Sequence, residues 1–201
     1  MTTAPAVSEE ALEGAVLAMY DDVATAPNKE YHFWSGRPAA ELFGYRREWL
    51  DQAPLPAVDS FAGVGNPHLW VAIEPGQTVV DLGSGAGLDL FIAANRAGST
   101  GRAIGVDMND TMLGKAREVA AARGYRTVEF RKGRIEEAPV ANGTADVAIS
   151  NGVINLSFRK KKVMMEAFRV LRPGGRASLT DVVSDAIIPE SIAKDPKLWA
   201  S

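Results

Sequence analysis

The residues of this sequence best suited to chemistry are carboxylates placed around glycines. Val79-Val80-Asp81-Leu82-Gly83-Ser84-Gly85-Ala86-Gly87 joins an apolar run to a helical stretch. Glycines at alternate positions let a backbone turn sharply and approach a ligand more closely than any side chain would allow. About twenty residues past Gly87, Asp107 ends a second apolar run, where a carboxylate can accept both hydroxyls of a ribose. The layout points to an adenosine-type cofactor. A plain tight corner between strand and helix would leave the pairing of Asp81 with Asp107 without a purpose.

A dinucleotide and S-adenosylmethionine can both use such a layout, so the residue types decide between them. A dinucleotide site asks for G-x-G-x-x-G, and the third glycine's position is held by Leu88. It also offers a helix N-terminus to a pyrophosphate, which a carboxylate at the mouth would repel. Asp81 stands two residues before the first glycine. A carboxylate there suits a ligand with an ammonium, a sulfonium and no phosphate, which favours S-adenosylmethionine.

The elements that must position these groups alternate. TVVDLG, RAIGVDM, TVEFRKG, ADVAISN and RASLTDVV read as strands, separated by the helical stretches LDLFIAANRAG, NDTMLGKAREVAAARG and VMMEAFRVL. Strand and helix in turn from Thr78 to Val183 imply parallel strands with right-handed crossovers, an α/β class with a doubly wound, mostly parallel sheet and helices on both faces. Before Gln77, Val7 to Ala24 reads as an amphipathic helix with Ser8 as its N-cap. Thr25 to Gly76 is irregular, with short helices expected at Pro38–Leu42 and Arg46–Asp51 and breaks at Pro54, Pro56 and Pro67. The expected division is an N-terminal helical cap over 1–76 and a cofactor-binding core over 77–201.

Composition excludes several classes. With 46% hydrophobic and 23% charged residues the chain is globular rather than disordered. No apolar run reaches bilayer length, and MTTAPAVSEE lacks the pattern of a secretory signal, so the expected address is cytoplasmic with no membrane partner. A net charge of −3 offers no general attraction for nucleic acid. There is no cysteine, which removes disulfides, thiolate metal sites and cysteine nucleophiles together, and no clustered metal ligands stand out.

VVDLGSGAG, the strand end GVDM, the segment KGRIEE and the turn RVLRPGG resemble the motifs of class I S-adenosylmethionine-dependent methyltransferases, whose core is Rossmann-like. SFAGVGNP, SNGVINL and DPKLW are similar to the arsenite methyltransferase branch of that superfamily. The resemblance implies that Gly83, Ser84, Gly85 and Gly87 wrap the methionine and ribose. It puts Asp81 near the ammonium, Asp107 on the ribose hydroxyls, Met108 against the adenine, and Arg134, Ile135 and Glu136 at the adenine. Asn151 would face the methionine. The acceptor would be a small molecule, methylated by in-line displacement.

The sequence departs from that branch in two ways. Branch members hold trivalent arsenic with cysteine thiolates, and the corresponding positions here are Val64 and Gly152. The superfamily usually adds two strands after the fifth, and SDAIIPESIAKDPKLWAS reads instead as a loop and a short helix. A sheet so shortened would expose an edge, to be covered by a second copy or another partner. A cofactor-binding pseudoenzyme or fragment without turnover is the alternative reading. On the acceptor side the candidates are Tyr20, His32, Trp34 and Asn155, with ordinary packing as the competing explanation for the aromatics. His68 is assigned to packing, Arg159 to Lys162 to a solvated face, and no general base is assigned.

Overall fold

A computed structural model describes residues 8–185 and Asp195. The N-terminal region holds α1 (Glu9–Thr25), α2 (Gly36–Leu42), α3 (Arg47–Gln52), α4 (Leu55–Asp59) and a 3-10 turn at Pro67–Leu69. The alternating region holds β1 (Thr78–Leu82), α5 (Leu88–Ala97), β2 (Arg102–Asp107), α6 (Asp110–Ala122), β3 (Val128–Lys132), β4 (Ala145–Asn151), α7 (Lys160–Val170) and β5 (Leu171–Thr180). All strand pairings are parallel, in the order β3-β2-β1-β4-β5. The order reverses between β1 and β4, and in such sheets ligands sit in the crevice beyond the strands' C-terminal ends. The doubly wound α/β expectation holds, with five strands among the described residues.

Both faces of the sheet are covered, which is why its strands read as near-continuous apolar runs. Val80, Leu82, Ile104, Val106 and Ala148 pack with Ala167 and Val170 of α7. The alternate residues Val79, Val147 and Ile149 pack with Ala93 and Ala97 of α5, and Ala103 with Leu113 and Ala116 of α6. The N-terminal region joins this core: Ala39, Tyr45, Leu50, Val58 and Phe61 cluster with Leu88 and Ile92 of α5.

The local signals work as their chemistry requires. Ser8 Oγ accepts from Ala11 N at 3.1 Å and starts α1, and Asn109 Oδ1 accepts from Met112 N at 2.8 Å and starts α6. Pro56 and Pro67 lie in the opening turns of α4 and the 3-10 helix, so these prolines begin short elements as well as ending longer ones. The fifth strand differs from the expected RASLTDVV. It pairs already at Leu171 with Ala145, loses register over the Pro-Gly-Gly stretch, resumes at Arg176 opposite Val147, and ends at Thr180. The segment expected to replace the last two strands falls almost wholly outside the described residues.

Candidate cofactor site at the sheet's switch point

Beyond the C-terminal ends of β1, β2 and β4 lies a pocket roofed by α1 and by the segment Ala57–Gly63. Asp81, Gly83, Ser84, Gly85, Gly87, Asp107, Met108, Arg134, Ile135, Glu136 and Asn151 all line it, and so does Tyr20. Residues spread over 130 positions of sequence are brought together because each parallel strand delivers its last residue to the same edge of the sheet.

The glycine loop is pinned to β2. Gly83 and Ser84 donate their N–H groups to Val106 O at 2.8 and 3.1 Å, and Gly85 N donates to Asp107 Oδ2 at 2.8 Å. A Cβ on Gly83 would lie 2.6 Å from Val153, and φ is +85°, so only glycine fits. Gly87, at φ +94°, caps α5, and a Cβ there would crowd Phe91 and Phe130, so packing as well as backbone conformation requires glycine at this position of the pocket wall. Gly85 has open space where its side chain would be.

Electrostatically the pocket is anionic. Asp81 is buried, and among the described residues no protein donor meets its carboxylate. Burial first, then Asp89 and Asp107, push its pKa well above the usual carboxylate range. Burial also raises Asp107, although the N–H groups of Asn109, Gly85 and Met108 pull it back. Tyr20, on α1, has its phenol pushed up to about 12 by burial, with Asp107 and Asp181 adding to it. Ser84 Oγ is buried without a partner.

Two of the expected adenine residues spend their side chains on the protein. Arg134 turns to α1, with Nη1 2.6 Å from Glu13 and Nη2 3.3 Å from Glu9. Glu136 accepts from Ser157 Oγ at 2.5 Å. Asn151 lines the pocket, yet its amide is taken up by the backbone at Val64 and Gly65 and by Asp89. His32 and Trp34 are exposed and Asn155 lies beside the pocket rather than in its wall. Asn155 N faces Asp181 at 3.3 Å, and its carbonyl accepts from Lys160 Nζ at 2.8 Å.

Other features escaped the sequence reading. His68 is the buried histidine, its Nε2 3.2 Å from Asp89 Oδ1. The basic run Arg159 to Lys162 is solvent-exposed, and it is paired locally: Arg159 Nη2 lies 3.0 Å from Glu9, Lys160 Nζ donates to Asn155 O and Ser157 O, and Lys162 lies 3.6 Å from Glu137. Glu9 and Glu13, one helical turn apart beside Leu12 and Val16, are the signal that could have marked α1 as a lid with an acidic rim. Asp89 and Asp181 carry no motif and become visible only through their contacts. No group of metal-ligating side chains occurs among the described residues, and no helix there is long and apolar enough to cross a membrane.

The geometry meets independent likenesses. The family described as "Methyltransferase domain" matches residues 73–201. The chain is 49% identical over 134 residues to an arsenite methyltransferase of Halobacterium salinarum, covering 67% of this chain and 34% of that protein. It is 38% identical over 126 residues to a ubiquinone/menaquinone biosynthesis C-methyltransferase of Klebsiella pneumoniae, covering 61% and 49%. Among solved structures it resembles an arsenic(III) S-adenosylmethionine methyltransferase from Chlamydomonas reinhardtii, with TM-score 0.60 and 35% identity over 79% of this chain and 53% of that one. The chain thus spans about a third of the length of the arsenite methyltransferase of Halobacterium salinarum.

S-adenosylmethionine, the cofactor of these relatives' class, fits the residues present. Its ammonium would answer Asp81, its ribose hydroxyls would meet the Asp107 carboxylate, the open side of Gly85 admits close approach, and the orphan Ser84 hydroxyl supplies a further polar contact. A pyrophosphate in the same place would face carboxylates. The chain belongs to the methyltransferase domain family, as a class I S-adenosylmethionine-dependent methyltransferase related to the arsenite methyltransferase branch.

Proposed function

We propose that this chain transfers a methyl group from S-adenosylmethionine to a small, largely apolar acceptor, with residues 1–76 as the cap and 77–201 as the cofactor-binding core. The observation that carries the reading is the pocket with Asp81, Asp89 and Asp107 on its walls and Asp81 without a protein partner. A cluster of carboxylates with no cation between them asks for a cationic ligand.

The bound cofactor supplies a methyl group on a positively charged sulfur, an electrophile that needs no metal. The protein contributes orientation and exclusion of water. Asp81 holds the ammonium, Asp107 the ribose hydroxyls, and Met108, Arg134, Ile135 and Glu136 border the adenine. The α1 helix closes the top through Leu12 and Val16, which pack with Met108, Leu156 and Phe158. Phe61, Ala62 and Val153 give the remaining wall its apolar character.

No thiolate within this sequence holds the acceptor. Where the arsenite branch places cysteines, this chain has Val64 and Gly152, and these pack on one another. No general base is assigned among the described residues, and an acceptor with a soft nucleophile would need none.

Calorimetry with S-adenosylmethionine, S-adenosylhomocysteine and NAD is the first test, followed by labelled methyl transfer to thiols, phenols, quinols and arsenite in glutathione. Binding of both S-adenosyl compounds with transfer to an organic acceptor supports the proposal. Binding without transfer to any member of the panel favours a cofactor-binding pseudoenzyme, and tight NAD binding alone overturns the reading.

A further inference from the structure

Asn151 touches both the segment Phe61–Gly65 and the first turn of α5. It ends β4, and its Oδ1 accepts from Val64 N at 2.9 Å, Gly65 N at 3.1 Å and Thr180 Oγ1 at 2.9 Å. Its Nδ2 donates to Gly65 O at 2.9 Å and lies 3.1 Å from both Asp89 Oδ2 and the Tyr45 hydroxyl oxygen. An amide has two N–H groups and two oxygen lone pairs, so this one has no capacity left for a ligand.

The partners belong to two different machines. Asp89 is the second residue of α5, the helix that the glycine loop opens, and its Oδ1 accepts from Tyr45 Oη at 2.5 Å. His68 Nδ1 lies 3.3 Å from Arg96 Nη1, and its Nε2 lies 3.2 Å from Asp89 Oδ1. On the other side, the segment Phe61–Gly65 contributes Phe61, Ala62 and Gly63 to the pocket wall, and Val64 and Gly65 tie it to Asn151. It lies so flat on the amide that a Cβ at Gly63 would be 2.3 Å from Asn151 Nδ2. Asn151, Asp89, Tyr45 and His68 are all at least nine-tenths buried.

From this juxtaposition we infer that Asn151 is a positioning residue: anchored by Asp89 and Tyr45, it locks the acceptor wall Phe61–Gly65 to the cofactor loop, so that filling one orders the other. The inference rests on the proposed methyltransferase reading and adds a role that reading does not assign. Methyl transfer depends on a near-attack distance, and a wall displaced by about 1 Å costs on the order of a hundredfold in rate. A buried hydrogen-bonded network centred on Asn151, Asp89 and Tyr45 is suited to hold such a distance.

The test uses the whole chain, its Asn151→Ala and Tyr45→Phe variants, and S-adenosylhomocysteine as the probe. Amide hydrogen exchange is followed at Val64 and Gly65 with and without the probe, alongside calorimetric affinity. In the unaltered protein the probe slows both amides. In Asn151→Ala they exchange about tenfold faster and no longer respond to the probe, while its affinity changes by less than about threefold. Tyr45→Phe, which loses a single hydroxyl, gives the same split at smaller size and carries the test if Asn151→Ala does not fold.

A purely structural role would speed exchange without abolishing the response to the probe, and that result overturns the inference. So does a loss of affinity of about tenfold or more in step with the exchange, which would make Asn151 a cofactor ligand. Failure of the unaltered chain to bind the probe sinks the methyltransferase reading and this coupling with it. An unaltered chain that binds the probe with no change at Val64 or Gly65 sinks the coupling alone.

Discussion

Val64 and Gly152 meet face to face: a Cβ on Gly152 would lie 3.2 Å from Val64 Cγ1, and Gly152 holds φ at +75°. Segments 88 residues apart in sequence therefore bring together two of the positions that the resemblance matches to cysteines of the arsenite branch. Gly152→Ala combines a left-handed backbone with a tight contact and is expected to cost about 1–3 kcal/mol, read as a lowered Tm. Arsenite without added thiol is expected to leave the melting curve of the unaltered chain unmoved, because this sequence offers no thiol to bind it.

Asp81 trades stability for binding. Its folded pKa is raised by burial, Asp89 and Asp107, so its protonated form is the one the ligand-free fold prefers. Stability from this group is full below the unfolded value of about 4 and is lost as pH rises through the raised folded value. Asp81→Asn is expected to raise the ligand-free Tm at pH 7.5, by about 2–4 °C for each kcal/mol relieved. The same variant should weaken S-adenosylmethionine by about 10- to 100-fold through loss of a charge-assisted contact, as calorimetry would read.

Cofactor binding should release protons. A cation placed against Asp81 favours its ionised form, so a carboxyl that is partly protonated in the free pocket gives up its proton on binding. Calorimetry below neutral pH in two buffers of different ionisation enthalpy is expected to show a buffer-dependent heat. That dependence should disappear in Asp81→Asn.

The α1 lid is held at its two ends by different means. Near its C-terminus, Lys115 Nζ donates to Ala24 O at 2.9 Å and to Ser60 Oγ at 2.7 Å, beside the buried Val23. Near its N-terminus the ties are the half-exposed pairs of Arg134 and Arg159 with Glu9 and Glu13. Exposed pairs are worth about 0.2–1 kcal/mol each and are screened by salt. Arg134→Ala should quicken dissociation of S-adenosylhomocysteine by about 2- to 10-fold at low salt, and stopped-flow release in ~1 M salt should erase most of the difference between variant and parent.

Tyr20 is a protonated phenol throughout the working range, since its pKa is pushed up to about 12. Tyr20→Phe is expected to leave the pH dependence of cofactor binding between about pH 6 and 9 unchanged, whatever it does to affinity. A displaced profile in that range would mean that the phenol titrates there.

The parts of this protein that can be read from local pattern were legible in its sequence. The runs that form β1, β2 and β4 stand out because a strand buried on both faces is apolar nearly throughout, while the edge strands β3 and β5 are marked by their place in the strand–helix alternation. Ser8, Asn109 and Gly124 mark helix ends through their own backbone and side-chain chemistry. The residues of VVDLGSGAG, GVDM and GRIEE quoted as site candidates line one pocket because parallel strands deliver their C-terminal residues to a common edge.

What the sequence could not disclose depends on contacts between distant segments. Arg134 and Asn151 each sit where their motifs place them, but their side chains are engaged by Glu9, Glu13, Val64 and Gly65, partners between 86 and 125 residues away. Asp89 and His68 look like an ordinary helical acid and a loop histidine until the fold buries both beside Tyr45. The sequence alone determined the sheet and the kind of ligand, since periodicity, glycine spacing and carboxylate placement act locally. Only the tertiary structure decided which polar groups remain free to meet that ligand, because the number of bonds a side chain can make is finite and burial settles which partners take them.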